Sequence, residues 1–518
     1  MTKRTIYSIW SALCLMPFTS CRTEGDTPEP NPDDWSAKSY LRINLILPQT
    51  TRAEATEDGL DVESRIHDLT VFIYKDESGN GVNNPPETKF AHRIYADMFR
   101  PAVDNSGVMT VDVELSDEYV HDPSHRVAVV ANMGDRTELA TLGDLQEYIH
   151  GKTWQESNPM CLPSGCSRFT MASSNAADGA VTESRAERNT GGVHYTAHVE
   201  VERTAARIDM LYSDSQIKED KEYVEYTATA NDGVAFIGNV RLYGISPINI
   251  KQLPSFALKR VSDGIGSDYT CFNSYHYTGG IQGETDTRPT AYVIEPHTVF
   301  KTADPTEDPA AWYGDTHAEN LKHTQWEDDL NLKSLLGEDN INIGVVGGKA
   351  VVVTYANENT HHVSQQSDQW LTGVLLRALF VPGTVYTDGD ATVPMTGYQA
   401  GDTFWCYRPA DGNADELYFS SQEAAQAYLD AHPAAGAGIV EIPNGRCYYH
   451  AWIRHTVVEG EHWTFPMEYG IVRNHIYRLG FAFRRVGSPE PDIRDPENVD
   501  VEIFVRPWNA FRHGQIII

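Results

Sequence analysis

Basic charge is scarce in this chain: 41 Lys and Arg stand against 73 Asp and Glu, a net charge of −32 over 518 residues. An excess of that sign repels phosphate backbones and anionic lipid, so nucleic acid is not an expected partner. Cysteine is scarce as well, 7 in all. With Cys14 and Cys21 near the N-terminus set aside, Cys161, Cys166, Cys271, Cys406 and Cys447 remain, an odd number that leaves at least one without a partner in its own chain. No CxxC pair or histidine cluster accompanies them, which argues against zinc. After the first 20 residues, no apolar run approaches the roughly 20 residues of a membrane span. HExxH, GxSxG, GxGxxG and the Walker loop are all missing. The expectation is a protein that is not an enzyme and takes no cofactor.

What is present begins with a basic Met1-Thr2-Lys3-Arg4 and a short apolar core from Ile6 to Met16, the pattern of an export signal. It runs into Phe18-Thr19-Ser20-Cys21, small residues before a cysteine as in a bacterial lipobox, with Phe18 where Leu is usual. The expectation is cleavage before Cys21 and lipidation of that residue. Residues 22–37, polar and proline-rich, read as a flexible tether.

Strand patterns follow. Leu41, Ile43, Leu45 and Leu47 alternate with Tyr40, Arg42, Asn44 and Ile46, the period of a half-buried strand. That strand breaks at Thr50-Thr51-Arg52-Ala53. Glu54, Glu57, Asp58, Asp61 and Glu63 come next, an acidic stretch expected to be solvated. In "HDLTVFIYK", Leu69, Val71 and Ile73 alternate with Thr70, Phe72 and Tyr74; "GVMTVDVEL", "HRVAVVANM", "HVEVER", "ARIDMLYS" and "FIGNVRLYGIS" continue the series. "KAVVVTYAN", "TGVLLRALFVPG", "RCYYHAWIRH", "MEYGIVRNHIYRLGFAF" and "VDVEIFVRPW" read as strands of the second half. Helices are few: a short one in "TLGDLQEYIH", and "EAAQAYLDAH" behind Ser420-Ser421-Gln422-Glu423, which resembles a capping box. Short strands with turns between them and no βαβ rhythm predict β-sandwich domains.

Side chains with possible chemistry are better explained as surface or core. His194 and His198 share a strand face but make an incomplete metal site, and His361-His362 lies in a polar loop. Asp388 and Asp390, or Asp495, Glu497 and Asp500, have calcium-like spacing without completing an EF-hand loop. Trp463 and Phe465 suit sugar stacking and suit a sandwich core as well. Cys161 and Cys166 flank a turn-like Leu-Pro-Ser-Gly and could bridge locally. Cys406 and Cys447 either face one another across a hairpin or are buried small hydrophobes. The tail Ala510-Phe511-Arg512-His513-Gly514-Gln515-Ile516-Ile517-Ile518 ends in three isoleucines. Left in water it is an aggregation hazard, so it either packs on its own domain or inserts into a neighbour.

Residues 447–485 resemble the C-terminal domain of the fimbrillins of type V pili, most of all the minor-fimbria (Mfa-type) major subunits. The resemblance lies in Cys447-Tyr448-Tyr449, Ile453-Arg454-His455, Met467-Glu468-Tyr469, the run Val472-Arg473-Asn474-His475-Ile476-Tyr477-Arg478 and the closing Pro507-Trp508-Asn509. In the N-terminal half, the lipobox, one strand, a Thr-Arg-Ala break, "IHDLTVFIY" and "VERTAARIDMLYS" agree. The resemblance implies an all-β chain of two transthyretin-like antiparallel sandwiches with short helical insertions. It also implies a route of assembly. A lipoprotein precursor reaches the outer membrane, an arginine-specific protease cuts in the first loop, and the first strand leaves. The C-terminal segment of another subunit then fills the gap.

Transferred to this chain, the cut falls between Arg52 and Ala53, and Leu41, Ile43, Leu45 and Leu47 leave. Arg22 and Arg65 are the other candidate arginines. The donor is 508–518, with Trp508, Ala510, Phe511, Ile516, Ile517 and Ile518. The implied division is a signal peptide 1–20, a propeptide 21–52, an N-terminal sandwich 53–250 and a C-terminal sandwich 251–518. Partners would be further subunits (copies, tip and anchor), the protease, the outer membrane through lipid, and surface ligands of host or bacterial cells. Having both a cut site and a donor, the chain is expected in the stalk. The alternative is a monomeric or tip-located adhesin binding host or glycan ligands. Physically, four buried anchors are worth about 6–12 kcal/mol gross before conformational entropy is charged. Losing them bares a trough and two strand edges, which invite another chain.

Overall fold

Segments rich in Val, Ile and Tyr, separated by Gly, Asn and Asp, pair into sheets over most of the chain. The computed structural model describes residues 39–46, 57–58, 61–77, 84–97, 102–103, 108–116, 118–150, 168–174, 182–184, 194–230, 232–253, 255–262, 275–277, 292–295, 310–317, 331–337, 340, 342–345, 348–360, 369–409, 415–455, 468–491 and 499–509. The expected signal, Cys21, Leu47, Arg52, Ala53, Cys161, Cys166, Cys271, His361, His362, Trp463, Phe465, Asp495, Glu497, Ala510, Phe511 and Ile516 to Ile518 lie outside them.

A nine-stranded sheet forms the N-terminal part. Its strands run in the order Phe90–Asp97, Asp68–Lys75, His125–Ala131, Met171–Ser173, His194–Arg203, Tyr40–Ile46, Met109–Glu114, Ala102–Val103, with Thr182–Ser184 paired to His194–Arg203 off this path. The two halves of the sheet face one another across a core of Leu41, Ile43 and Leu45 with Leu69, Val71, Ile73, Val127 and Val129. The second part is a sandwich of two sheets. One runs Glu57–Asp58, Val499–Asn509, His475–Phe483, Ala205–Tyr212, Gly348–Asn357, Asn342–Val345; the other runs Ile217–Lys218, Tyr223–Thr229, Phe236–Ile248, Gly373–Pro382, Arg446–Trp452. Ile208, Met210, Val351, Tyr477 and Leu479 of the first pack on Tyr226, Val240, Leu242, Leu376 and Tyr449 of the second. The chain is therefore all-β, in several sheets, with short helices between them. The sequence divides the domains at 250/251; the sheets themselves change over at Thr204, between His194–Arg203 and Ala205–Tyr212.

Three readings are corrected by this architecture, and one left open is decided. Asp68–Lys75 is not half-buried: Thr70, Phe72 and Tyr74 are sealed as well, because Leu142 and Leu145 of a short helix cover that face together with Ala257 and Leu258. The helix Gln422–Ala431 is capped by Ser421 alone, through the Ala424 amide. The reciprocal capping box belongs to Thr141 and Asp144 at the head of Leu142–Gln146. "MEYGIVRNHIYRLGFAF" is not one strand; Asn474 at φ 56° turns the chain before His475–Phe483 begins. Cys406 and Cys447 are free thiols, fully buried in the second core, and so act as small hydrophobes rather than a bridge. Burial pushes the Cys447 thiol up to about 12.

Candidate functional site

The first strand, Tyr40–Ile46, lies inside a sheet although it comes first in the chain. It runs parallel to His194–Arg203 on one side and antiparallel to Met109–Glu114 on the other. Ile43 stands between Ala197 and Val111. Leu41, Ile43 and Leu45 are each 0% exposed. Burial of three such side chains contributes about 5–9 kcal/mol gross. The outward face is polar. Arg42 makes a two-pronged pair with Asp112 at 2.8 and 2.9 Å, and Asn44 accepts from Thr110 Oγ1 at 3.1 Å. His198 is exposed there, its Nδ1 3.4 Å from the Asn44 amide nitrogen. Both neighbours of the first strand come from distant parts of the chain. Its departure would leave an apolar slot and two open edges without unthreading anything else.

Beyond the slot, at the change of sheets, the chemistry reverses from apolar to ionic. Glu63, in the short helix Asp61–Ser64, is completely buried. This overturns the expectation of solvation for Glu63. Arg207 Nη1 donates to both Glu63 carboxylate oxygens at 3.1 and 3.0 Å, and Tyr355 Oη donates to Oε1 at 2.6 Å. The same guanidinium grips Asp209 through Nε and Nη2 at 2.9 and 3.0 Å, and Arg478 reaches Asp209 at 3.3 Å. Burial works to lower the Arg207 pKa, but Asp209 and Glu63 outweigh it, so the guanidinium stays charged. Arg203 donates to the Glu63 carbonyl at 2.8 Å, to Ser64 Oγ at 3.0 Å and to Asn474 Oδ1 at 3.3 Å. Burial lowers its pKa to about 10.

Two sequence motifs meet at this point. "VERTAARI" supplies Arg203 and Arg207; "VRNHIYRL" supplies Arg473, Asn474 and Arg478. The Asn474 amide donates to the Ala205 carbonyl at 2.7 Å, and Ala205–Tyr212 then runs parallel to His475–Phe483. Arg473 closes a second buried pair, two-pronged with Glu358 at 2.8 and 2.6 Å, and donates to the carbonyls of Phe256 and Ala257. Sequence reasoning missed Glu63 and Asp209. A signal existed for Asp209: in "AARIDMLY" two opposite charges stand at i and i+2, on the face opposite Ile208 and Met210, where a strand cannot leave them unpaired. For Glu63 no signal separates it from its solvated neighbours.

The last strand, Val499–Asn509, pairs along its length with His475–Phe483. Its other edge meets only Glu57–Asp58 among the described residues, with Glu57 opposite Trp508 and Asp58 opposite Asn509, in parallel. Among the predicted site residues, then, Leu41, Ile43 and Leu45 line one slot, and Trp508 lies at the end of the last strand beside Glu57. Asp388 is not arranged for calcium: its carboxylate accepts from the Thr392 hydroxyl at 2.6 Å and the Val393 amide at 2.8 Å, closing its own turn.

Residues 442–513 match the family described as "Major fimbrial subunit protein type IV, Fimbrillin, C-terminal". They supply Arg446–Trp452 and the pair His475–Phe483 and Val499–Asn509. The resemblance to fimbrillins holds over this segment. Similar solved structures include a cell adhesion protein of Parabacteroides distasonis, at 16% identity over 91% of this chain and 100% of that one, TM-score 0.39. Others are the tip fimbrial protein Mfa3 of Porphyromonas gingivalis (9% identity, 91% and 100% coverage, TM-score 0.34) and a fimbrilin, FimA, of the same species (11%, 92% and 99%, TM-score 0.36). A comparison with curated proteins finds no match.

Proposed function

We propose that this chain is a structural subunit of a bacterial surface fimbrium, exported as a lipoprotein through Cys21 and polymerised by strand exchange after cleavage at Arg52. The family match over residues 442–513 supports the fimbrial role. One structural observation carries the exchange. The first strand is seated between two strands that stay paired elsewhere, and in residues 47–62, between that strand and the buried Glu63, Arg52 is the only Arg or Lys. A cut at Arg22 would leave the strand attached to the body. A cut at Arg65 would release Glu63 and leave Arg203 and Arg207 buried without it. Only Arg52 divides the replaceable strand from its anchor.

The filled slot makes the uncut chain a protected monomer, since tethering holds the strand at high effective concentration. After the cut, tail 508–518 of another copy enters, a head-to-tail contact that does not close and so builds a filament. A chain that both accepts and donates belongs in the stalk. The test is to treat purified precursor with an arginine-specific protease and follow size. A ladder of oligomers is expected, abolished by Arg52→Ala and by deletion of 508–518. A cut chain that stays monomeric would refute the reading.

A further inference from the structure

The slot and the donor tail meet the body of the molecule at one place. The last strand reaches the change of sheets with its C-terminal end, where Trp508 and Asn509 pair with Glu57 and Asp58. That dipeptide is strung between two fixed points. On one side is Ile46, seated opposite Glu200 at the end of the first strand; on the other is Glu63, gripped by Arg207 and Tyr355. Among the described residues, nothing else pairs with this edge of the last strand.

Building on the fimbrial reading above, we infer that Glu57–Asp58 is an autoinhibitory clasp on the base of the donor tail, and that the cut freeing the first strand also releases the clasp. A two-residue bridge is weak by itself. It persists because both flanks are tied down, which keeps the dipeptide at high effective concentration against the last strand. Severing the chain at Arg52 removes one tie and turns the dipeptide into part of a new N-terminal end, the kind of segment that frays. One cut then readies both ends. The consequence matters for growth: an uncut chain that donated its tail would join a fibre with its own slot already filled, and extension through that slot would stop. The seated first strand bars an uncut chain from accepting, and the clasp bars it from donating.

The test separates donation from acceptance. The acceptor is chain cut at Arg52 and lacking 508–518, so that it has a slot and no tail. Three full-length donors are offered to it: the cut chain, uncut Arg52→Ala, and uncut Arg52→Ala carrying Glu57→Pro and Asp58→Pro. A fourth, Arg52→Ala with a ten-residue Gly-Ser insertion between Ala55 and Thr56, loosens the same tie without touching the paired residues. Complex formation is read on native gels, with unfolding temperature as the check on folding. The cut donor should join. The Arg52→Ala chain should join at least about ten-fold more slowly, and the proline and insertion variants should recover most of that loss. Equal rates for cut and Arg52→Ala donors would overturn the clasp, as would slow joining by both the proline and insertion variants. Failure of the cut donor itself would refute strand exchange, a different outcome.

Discussion

The segments on the two sides of Arg52 are held by opposite kinds of force. Upstream, Leu41, Ile43 and Leu45 are held by apolar burial and backbone ladders, with one exposed ion pair on the outer face. Downstream, Glu63 is held by a closed ionic cluster in which Arg207, Asp209 and Glu63 have no solvent exposure. Apolar contacts are non-directional, so any strand with the right alternation replaces another. A buried carboxylate gripped by a guanidinium and a tyrosine hydroxyl is not replaceable, because removing it leaves a charged partner dry. On the proposed exchange, this contrast is the reason for dividing the chain there, between a part held by generic forces and a part held by specific ones.

Breaking the downstream side should have the largest effect. Glu63→Ala takes from Arg207 one of its two buried carboxylates, and denaturant unfolding should show a loss of about 3–5 kcal/mol in uncut and assembled subunits alike. Next comes the upstream side. Ile43→Ala should destabilise the uncut chain by about 2–5 kcal/mol, yet leave the assembled subunit unchanged, because that strand is then gone. A loss persisting after assembly would mean that the strand never left. Arg42→Ala should cost less than about 1 kcal/mol, vanishing at high salt, since the Asp112 pair is solvent-exposed. Cys406 and Cys447 report on the comparison with the least perturbation. At pH 8 neither should react with thiol reagents in uncut or cut chains, and both should react when Glu63→Ala lets the second sandwich open. The Cys447 thiol has its folded pKa raised from 9.0 to about 12. Its share of stability is thus intact below pH 9 and lost as pH rises towards 12.

The slot was more legible in the sequence than the junction. Leu41, Ile43 and Leu45 announce themselves by a period of two, because one face of a strand is dry and the other wet. The motif "VRNHIYRL" stands out as the most specific element of the fimbrillin resemblance. The pairings at the junction were invisible, because Asn474 meets Arg203 and Arg207 meets Glu63 across 271 and 144 residues of chain. Local pattern carries no record of such distances. The same limit explains Asp68–Lys75: alternation suggests one wet face, but Leu142 and Leu145 arrive from far along the chain to dry it. Cys406 and Cys447 share the second core without bonding, a matter of strand placement that spacing does not encode.

The central claim is that the strand around Ile43 leaves its slot when the fibre forms. Peptide mass spectrometry of purified, surface-assembled fibres measures this directly. A subunit beginning at Ala53, with no peptide from residues 40–46 at any stoichiometric level, is the predicted result. Fibres that retain Tyr40 to Ile46 one-to-one with the rest of the chain would contradict it.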